Sequence, residues 1–119
     1  MTLQKLLTKI KDEKPNAFGD ERLISFVNEI EGTVAEQLHR DPVSYTTDDM
    51  DKELLAPAPY DTLYVSWVKS QIDYAHEEYA SYQLNQEQFS ADMEEFIDWI
   101  VRTKQAVEAV FPSRFRHIF

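Results

Sequence analysis

The chain has 119 residues, close to the commonest size of a single domain, which excludes two independent hydrophobic cores. Its formal net charge of -10 argues against sequence-independent binding to phosphate backbones, and its 43% apolar residues argue against a disordered chain. Two glycines are too few for the turns of a many-stranded β fold, and the lack of cysteine excludes disulfides and thiolate metal sites.

The first predicted helix covers residues 2–13, where leucine and isoleucine recur at three- and four-residue steps. Thr2 can cap this helix and Pro15 stops it, and its lysines are expected on a solvated face and not on a membrane. No segment reaches the roughly 18 apolar residues of a membrane span, and residues 1–14 lack the apolar stretch of a signal peptide. We expect a protein that is made in the cytoplasm and has no membrane partner.

The second predicted helix covers residues 20–38, with Asp20 as its N-cap and Glu21 in its first turn. Gly32 lies inside the apolar pattern of this helix. The glycine either costs the helix about 1 kcal/mol relative to alanine or marks the close approach of another backbone. The pattern leaves both interpretations open.

A long loop is predicted over residues 39–59, where periodicity disappears and prolines, threonines and aspartates are frequent. Loops of about 20 residues in compact domains are commonly functional. The run Leu54-Leu55-Ala56-Pro57-Ala58-Pro59-Tyr60 is apolar enough to lie against the core. We therefore expect an ordered loop.

Two further helices are predicted over residues 60–84 and 86–102. The first is apolar on more than one face and is expected to be the central element, with tyrosines of which one or two reach a partner. Asn85 followed by Gln88 resembles a capping box, which predicts a tight helical hairpin there. The last helix has an apolar face, and its opposite face carries Glu87, Asp92, Glu94, Glu95 and Asp98.

These elements predict an all-α fold, a compact bundle of about four helices in residues 1–101 followed by a C-terminal arm in residues 102–119. Residues 61–101 contain nine acids and one base, whereas the arm contains one acid and four bases. Pro112 is expected to end any helix in the arm. The last nine residues are apolar enough that this chain's core or a neighbour should cover them.

Catalytic and cofactor sites are not predicted. His39, His76 and His117 are far apart, and none has a second ligand on the same helix face, so no metal is expected. The run Asp48-Asp49-Met50-Asp51 lacks the glycine and glutamate of a calcium loop. No glycine-rich phosphate loop or glycine-flanked serine occurs. We expect no cofactor and no enzymatic activity.

The run Leu54-Leu55-Ala56-Pro57-Ala58-Pro59-Tyr60-Asp61, followed by Tyr64-Val65-Ser66-Trp67 and Ile72-Asp73-Tyr74-Ala75, resembles the small helical neck proteins of tailed bacteriophages. The end Pro112-Ser113-Arg114-Phe115-Arg116 is similar to the same group. The resemblance covers nearly the whole chain and rests on helix order, the loop before the long helix and the terminal arm, because this family has no catalytic motif.

The resemblance implies a head-tail connector or head-completion protein in the virion neck, present in the host cytoplasm during assembly. Its implied partners are further copies of itself in a ring of about a dozen subunits, the portal protein, and a tail or stopper protein. DNA would pass through the ring without specific binding. Helices three and four would form the ring wall, with the loop over 40–60 and the arm over 102–119 as contact elements.

The candidate interface residues are aromatic or basic and belong to the loop or the arm. They are Tyr45, Tyr60, Arg102, Phe111, Arg114, Phe115, Arg116 and Phe119.

Two other classes of function remain open from the sequence. An acidic inhibitor or DNA mimic would present carboxylates to a host nucleic-acid-binding protein, although that function leaves the aromatic arm and the long loop unexplained. A small enzyme would depend on residues such as His76 or Glu77, and their substitution would then abolish turnover without unfolding the chain.

Overall fold

The four helices are α1 (Leu3–Glu13), α2 (Asp20–Gln37), α3 (Thr62–Ala75) and α4 (Tyr79–Val110), with one 3₁₀ turn at Thr47–Asp49. They are seen in a computed structural model that describes the backbone of residues 1–110 and the side chains through Val107. Across this range there is no β-strand, and a single isolated bridge joins Thr2 to Glu53. The predicted all-α class is confirmed.

Helix α1 forms where the apolar spacing predicts it. Thr2 Oγ1 accepts the N–H of Lys5 at 3.2 Å and caps the first turn. The four side chains of the apolar face are fully buried, and each contributes on the order of 1.5–3 kcal/mol by leaving water. They are Leu3, Leu6, Leu7 and Ile10.

Helix α2 begins as predicted, but its N-cap is Gly19 and Asp20 is its first helical residue. The carboxylate of Asp20 still lies where the helix dipole favours negative charge, and it pairs with Lys11. A Cβ added at Gly32 would meet nothing within 4 Å. Within the described residues no other backbone approaches Gly32, so its effect here is the cost to helix propensity.

Both α2 and α3 end in a Schellman motif built on a residue other than glycine. His39 after α2 has a φ of 54°, and Glu77 after α3 has a φ of 59°, in the left-handed region that favours glycine. After α3 the N–H of Glu78 bonds the carbonyl of Asp73 at 2.9 Å, and the equivalent bond closes α2. Neither helix end therefore carries the glycine that would reveal it in a sequence.

The predicted boundary between the third and fourth helices is wrong. Helix α3 ends at Ala75 instead of residue 84, and α4 starts at Tyr79. Asn85 and Gln88 are not a capping box, because both lie inside α4. Helix α4 also continues through Val110, so the first residues of the predicted arm are helical.

Helix α3 is the central element, as predicted, and contacts each of the other three helices. Trp67 Nε1 donates to the carbonyl of Phe26 in α2 at 2.9 Å. Lys69 Nζ donates to Glu13 Oε1 in α1 at 2.9 Å. A helix with neighbours on several sides buries several faces, which explains why its apolar residues do not keep to a single face.

Helix α4 packs along α3 through a row of hydrogen-bonded side chains, here called the polar seam. Ser66, Ser70 and Asp73 of α3 lie at spacings of four and three residues and so share one face. Ser66 Oγ donates to Asp92 Oδ2 at 2.9 Å, and Gln86 Nε2 donates to Ser70 Oγ at 2.7 Å. Asp73 Oδ2 accepts two bonds, from Ser81 Oγ at 2.8 Å and from Asn85 Nδ2 at 2.7 Å. Asp92 is therefore buried against α3, and its predicted place on the solvated acidic face is wrong.

Candidate interaction surface

A buried carboxyl group holds the long loop to the core. Glu31 of α2 is fully buried and accepts the hydroxyls of Tyr45 at 2.6 Å and Tyr64 at 2.5 Å. It also accepts the N–H of Leu55 at 3.1 Å, while Tyr64 Oη accepts the N–H of Ala56 at 2.8 Å. Burial and the nearby Glu31 raise the pKa of both phenols above its ordinary value, so both remain hydrogen-bond donors.

Tyr45 is part of this anchor and not of an exposed surface. Its residue is only 5% exposed, and its backbone N–H and carbonyl bond the Asn28 side chain at 2.8 and 3.1 Å. The sequence predicts Tyr45 at an interface, but the structure places its ring in the core. Tyr45 can support a contact with a partner protein only by fixing the loop in place. Sequence reasoning missed Glu31 because one acid in a polar helical pattern looks like a solvated residue.

Tyr60, the second predicted interface residue of the loop, is half-buried and joins the loop to α4. Its ring stacks on Trp99 with centroids 5.2 Å apart and lies 6.3 Å from that of Phe96. The loop is thus fixed at both ends, by Glu31 on one side and by α4 on the other. The contact of Tyr60 with a partner protein stays a prediction.

The exposed side of α4 changes charge along its length. Its acidic face consists of Glu87, Glu94, Glu95 and Asp98, all exposed, and none forms an ion pair with the side chains described here. Arg102 follows Asp98 after one turn, Lys104 comes two residues later, and both are exposed as well. The two described bases of the predicted arm therefore lie on the same helix as the acidic face.

An apolar cleft, here called the end groove, lies between the end of α2 and the last described turns of α4. It has a volume of about 230 Å³ and is lined by Leu38, His39, Trp99, Ile100 and Lys104 among others. Lys104 is the lysine that lines it, and no aspartate or glutamate is among its described lining residues.

Three tyrosines meet at the turn between α3 and α4 and form what is here called the tyrosine patch. The ring of Tyr74 contacts those of Tyr79 and Tyr82 at centroid distances of 6.0 and 5.3 Å. Tyr74 is 59% exposed and Tyr79 is 58% exposed. The sequence places these residues along one helix, whereas the left-handed Glu77 folds them against one another across a turn.

The turn beneath the tyrosine patch is fixed by an ion pair. The buried Asp73 faces the ammonium group of Lys14, which also reaches Glu78 at 3.2 Å. Burial opposes both charges, but the hydrogen bonds outweigh it, so the pKa of Asp73 is lowered and that of Lys14 is raised. The patch is therefore presented on a fixed turn.

The histidines do not form a metal site in the part of the chain that the structure describes. His39 and His76 follow the ends of different helices, and the His76 ring stacks on Phe18 at 5.3 Å. Among the side chains of residues 1–107 no three histidines, aspartates or glutamates converge as metal ligands. No described helix has the length and apolar character needed to cross a bilayer.

Of the predicted arm residues, Arg102 is exposed on α4. Phe111, Arg114, Phe115, Arg116 and Phe119 lie outside the described residues. Comparison of the chain with protein-family models, with curated proteins and with solved structures found no match.

Proposed function

We propose that this chain is a structural head-tail connector of a tailed bacteriophage, located in the virion neck and bound to the portal protein and to a tail or stopper component. The observation that carries the proposal is the charge division along α4, from the exposed acidic face to the exposed Arg102 and Lys104. A single helix that presents both signs can face a channel with one part and a neighbouring protein with the other.

The acidic face suits the wall of a channel that conducts DNA. Its four carboxylates have no basic partner among the described side chains, so their field extends into solvent. Such a wall repels phosphates and lets DNA pass without being held.

The rest of the fold suits a subunit that packs side by side with its copies. The polar seam and the Glu31 anchor fix α4 and the long loop relative to the core. The described part of the chain is 52 × 33 × 18 Å, so its broad sides offer more contact area than its edge. A flat, rigid subunit of this kind can repeat around a ring axis.

Electron microscopy and native mass spectrometry of the chain with its cognate portal ring test the proposal. We expect the chain to add a ring of subunits to one end of the portal. Finding neither portal binding nor rings under assembly conditions would sink the connector function.

A charge-matched pair of variants then tests the role of the acidic face. Neutralising Glu87, Glu94, Glu95 and Asp98 to the amides should make the assembled rings retain DNA at low salt, with retention lost as salt increases. The control neutralises Asp12, Glu21, Glu29 and Glu36, which are exposed on α1 and α2, and should leave the rings without DNA. Equal retention of DNA by both variants would show that the acidic face has no specific role in keeping DNA from being held.

The same exposed carboxylates favour a second candidate, the acidic DNA mimic. This function predicts that the monomer competes with DNA for a defined nuclease or restriction protein, and that neutralising the acidic face abolishes the competition. Competition by the wild-type chain without any portal binding would replace the connector proposal.

A further inference from the structure

We infer that the tyrosine patch is the docking site for the basic aromatic segment 111–119 of a second copy of this chain. The inference rests on the proposed function, because ring assembly supplies the second copy. It specifies which surface of one subunit receives which segment of the next.

The tyrosine patch has the character of an interface. Two large rings, Tyr74 and Tyr79, are each more than half exposed and lie in contact with each other. Tyrosine presents a broad apolar face and a polar hydroxyl at low conformational cost, which is why it is enriched where proteins meet. The Asp73–Lys14 pair fixes the turn below, so little ordering would accompany binding.

The charges around the patch favour a basic partner. Glu77 lies exposed in the turn between the tyrosines and has no ion pair with the described side chains, whereas Glu78 beside it pairs with Lys14. Segment 111–119 carries the sequence Arg114-Phe115-Arg116, in which a phenyl ring is flanked by two guanidinium groups. Guanidinium groups stack on aromatic rings, and the chain already makes such a contact where Arg22 lies 5.0 Å from the Phe26 ring centroid.

The segment cannot reach the patch of its own subunit. Helix α4 runs 28 residues from Tyr82 to Val110, which corresponds to about 42 Å at about 1.5 Å per residue. Phe115 is five residues beyond Val110, and even an extended chain covers only about 18 Å over that length. Only a second copy can bring Phe115 to the tyrosines.

The end groove is the competing site, and its charge argues against it. It lies near the end of α4, within reach of the same copy's segment, but Lys104 lines it and no carboxylate does so among the described residues. Like charges would meet there if Arg114 and Arg116 approached, whereas opposite charges meet at the patch. A contact between the patch of one copy and the segment of the next is heterologous, and such contacts form a ring where the rotation between copies closes.

Disulfide trapping tests the contact directly, because the chain contains no cysteine. One copy carries Gln83→Cys, which lies one turn after Tyr79 on the same helix face and leaves all three tyrosines intact. The other copy, isotopically labelled, carries Phe115→Cys. After mild oxidation of the mixed full-length chains, intact mass spectrometry measures the mixed-label disulfide.

Two matched cysteines define the background. Leu84→Cys lies at the same height on α4 but on another face and is 68% exposed, and Leu38→Cys reports on the end groove. We expect the Gln83 pair to trap about tenfold more mixed dimer than the Leu84 pair, as for a centrally placed aromatic contact. Trapping equal to that of the Leu84 pair, or greater trapping at Leu38, overturns the inference.

Side-chain variants show whether the proposed chemistry produces the contact. Tyr74→Ser with Tyr79→Ser in the Gln83→Cys copy, or Arg114→Ala with Arg116→Ala in the Phe115→Cys copy, should each reduce trapping about tenfold. Leu84→Ser should leave it unchanged. Circular dichroism confirms folding, and undiminished trapping in folded variants contradicts the inference.

Portal binding separates failure of this inference from failure of the proposed function. If the chain binds the portal ring but shows no specific trapping, the inference is wrong and the connector function stands. If trapping is specific but no portal is bound, copies associate through the patch and the connector function is wrong.

Discussion

The core of the molecule and the hairpin formed by α3 and α4 are held together by different interactions. Around α1, α2 and α3, side chains such as Leu6, Val27 and Ile72 are completely buried, and the long loop is fixed there by Glu31. Within residues 79–107, by contrast, Phe96 is the one apolar side chain that is completely buried, and α4 is held by the polar seam together with half-buried apolar side chains such as Phe89 and Met93. The core therefore carries the stability, and α4 is left with an exposed face for other molecules.

Removing the Glu31 side chain should have the largest effect, because it acts in the core. Glu31→Ala leaves two phenols and the N–H of Leu55 without an acceptor and should lower the free energy of unfolding by about 3–5 kcal/mol. Urea denaturation followed by circular dichroism measures the change.

The control for Glu31 is Glu36→Ala, an exposed glutamate on the same helix, which should change stability by no more than about 0.5 kcal/mol. If Glu31→Ala proved so unstable that no baseline could be measured, Tyr45→Phe removes a single bond of the same anchor. If Glu31→Ala and Tyr45→Phe both had a free energy of unfolding near that of the wild type, Glu31 would not be what holds the loop.

Asp73 provides the corresponding test in the hairpin, with a smaller expected effect. Asp73→Asn keeps the shape but removes the charge facing Lys14, and should cost about 1–2 kcal/mol at neutral pH because Lys14 is partly exposed. The pKa of Asp73 is lowered on folding. The stability it contributes is therefore complete above its ordinary value of 3.8 and is lost as the pH falls through the folded value.

The measurement for Asp73 is the difference in unfolding free energy between wild type and Asp73→Asn across a pH series. This difference should stay constant down to about pH 5 and shrink below about pH 4. A difference that does not depend on pH would mean that the charge of Asp73 does not hold the turn.

The smallest expected effect is at the two Schellman motifs. They allow a comparison of the two regions, because one closes α2 and the other closes α3. His39→Gly and Glu77→Gly should each raise the melting temperature, because glycine adopts the left-handed conformation without steric cost. The free energy of unfolding should rise by about 0.5–1 kcal/mol in each variant. The controls are His39→Ala and Glu77→Ala, which keep the strain and should be close to wild type. A glycine variant less stable than its alanine control would contradict the assigned backbone conformation.

Periodicity, together with capping and stop residues, predicted the start and length of α1 and the position of α2, and the apolar pattern predicted the central role of α3. These elements have apolar residues at regular steps and capping or stop residues at their ends, such as Thr2 and Pro15. The end of α3 was not predictable, because Glu77 takes the place of the expected glycine. Asp92 was misassigned because an aspartate in a hydrogen-bonded seam and a solvated aspartate have the same helical spacing.

The sequence by itself determined the all-α class, the long ordered loop and the change of charge towards the C-terminus, since these follow from composition and from local periodicity. Only the tertiary structure decided that Glu31 is buried, that Tyr45 lies in the core, and that three tyrosines meet across a turn. Those facts depend on contacts between residues far apart in the chain, such as Glu31 and Tyr64, and no local pattern encodes them.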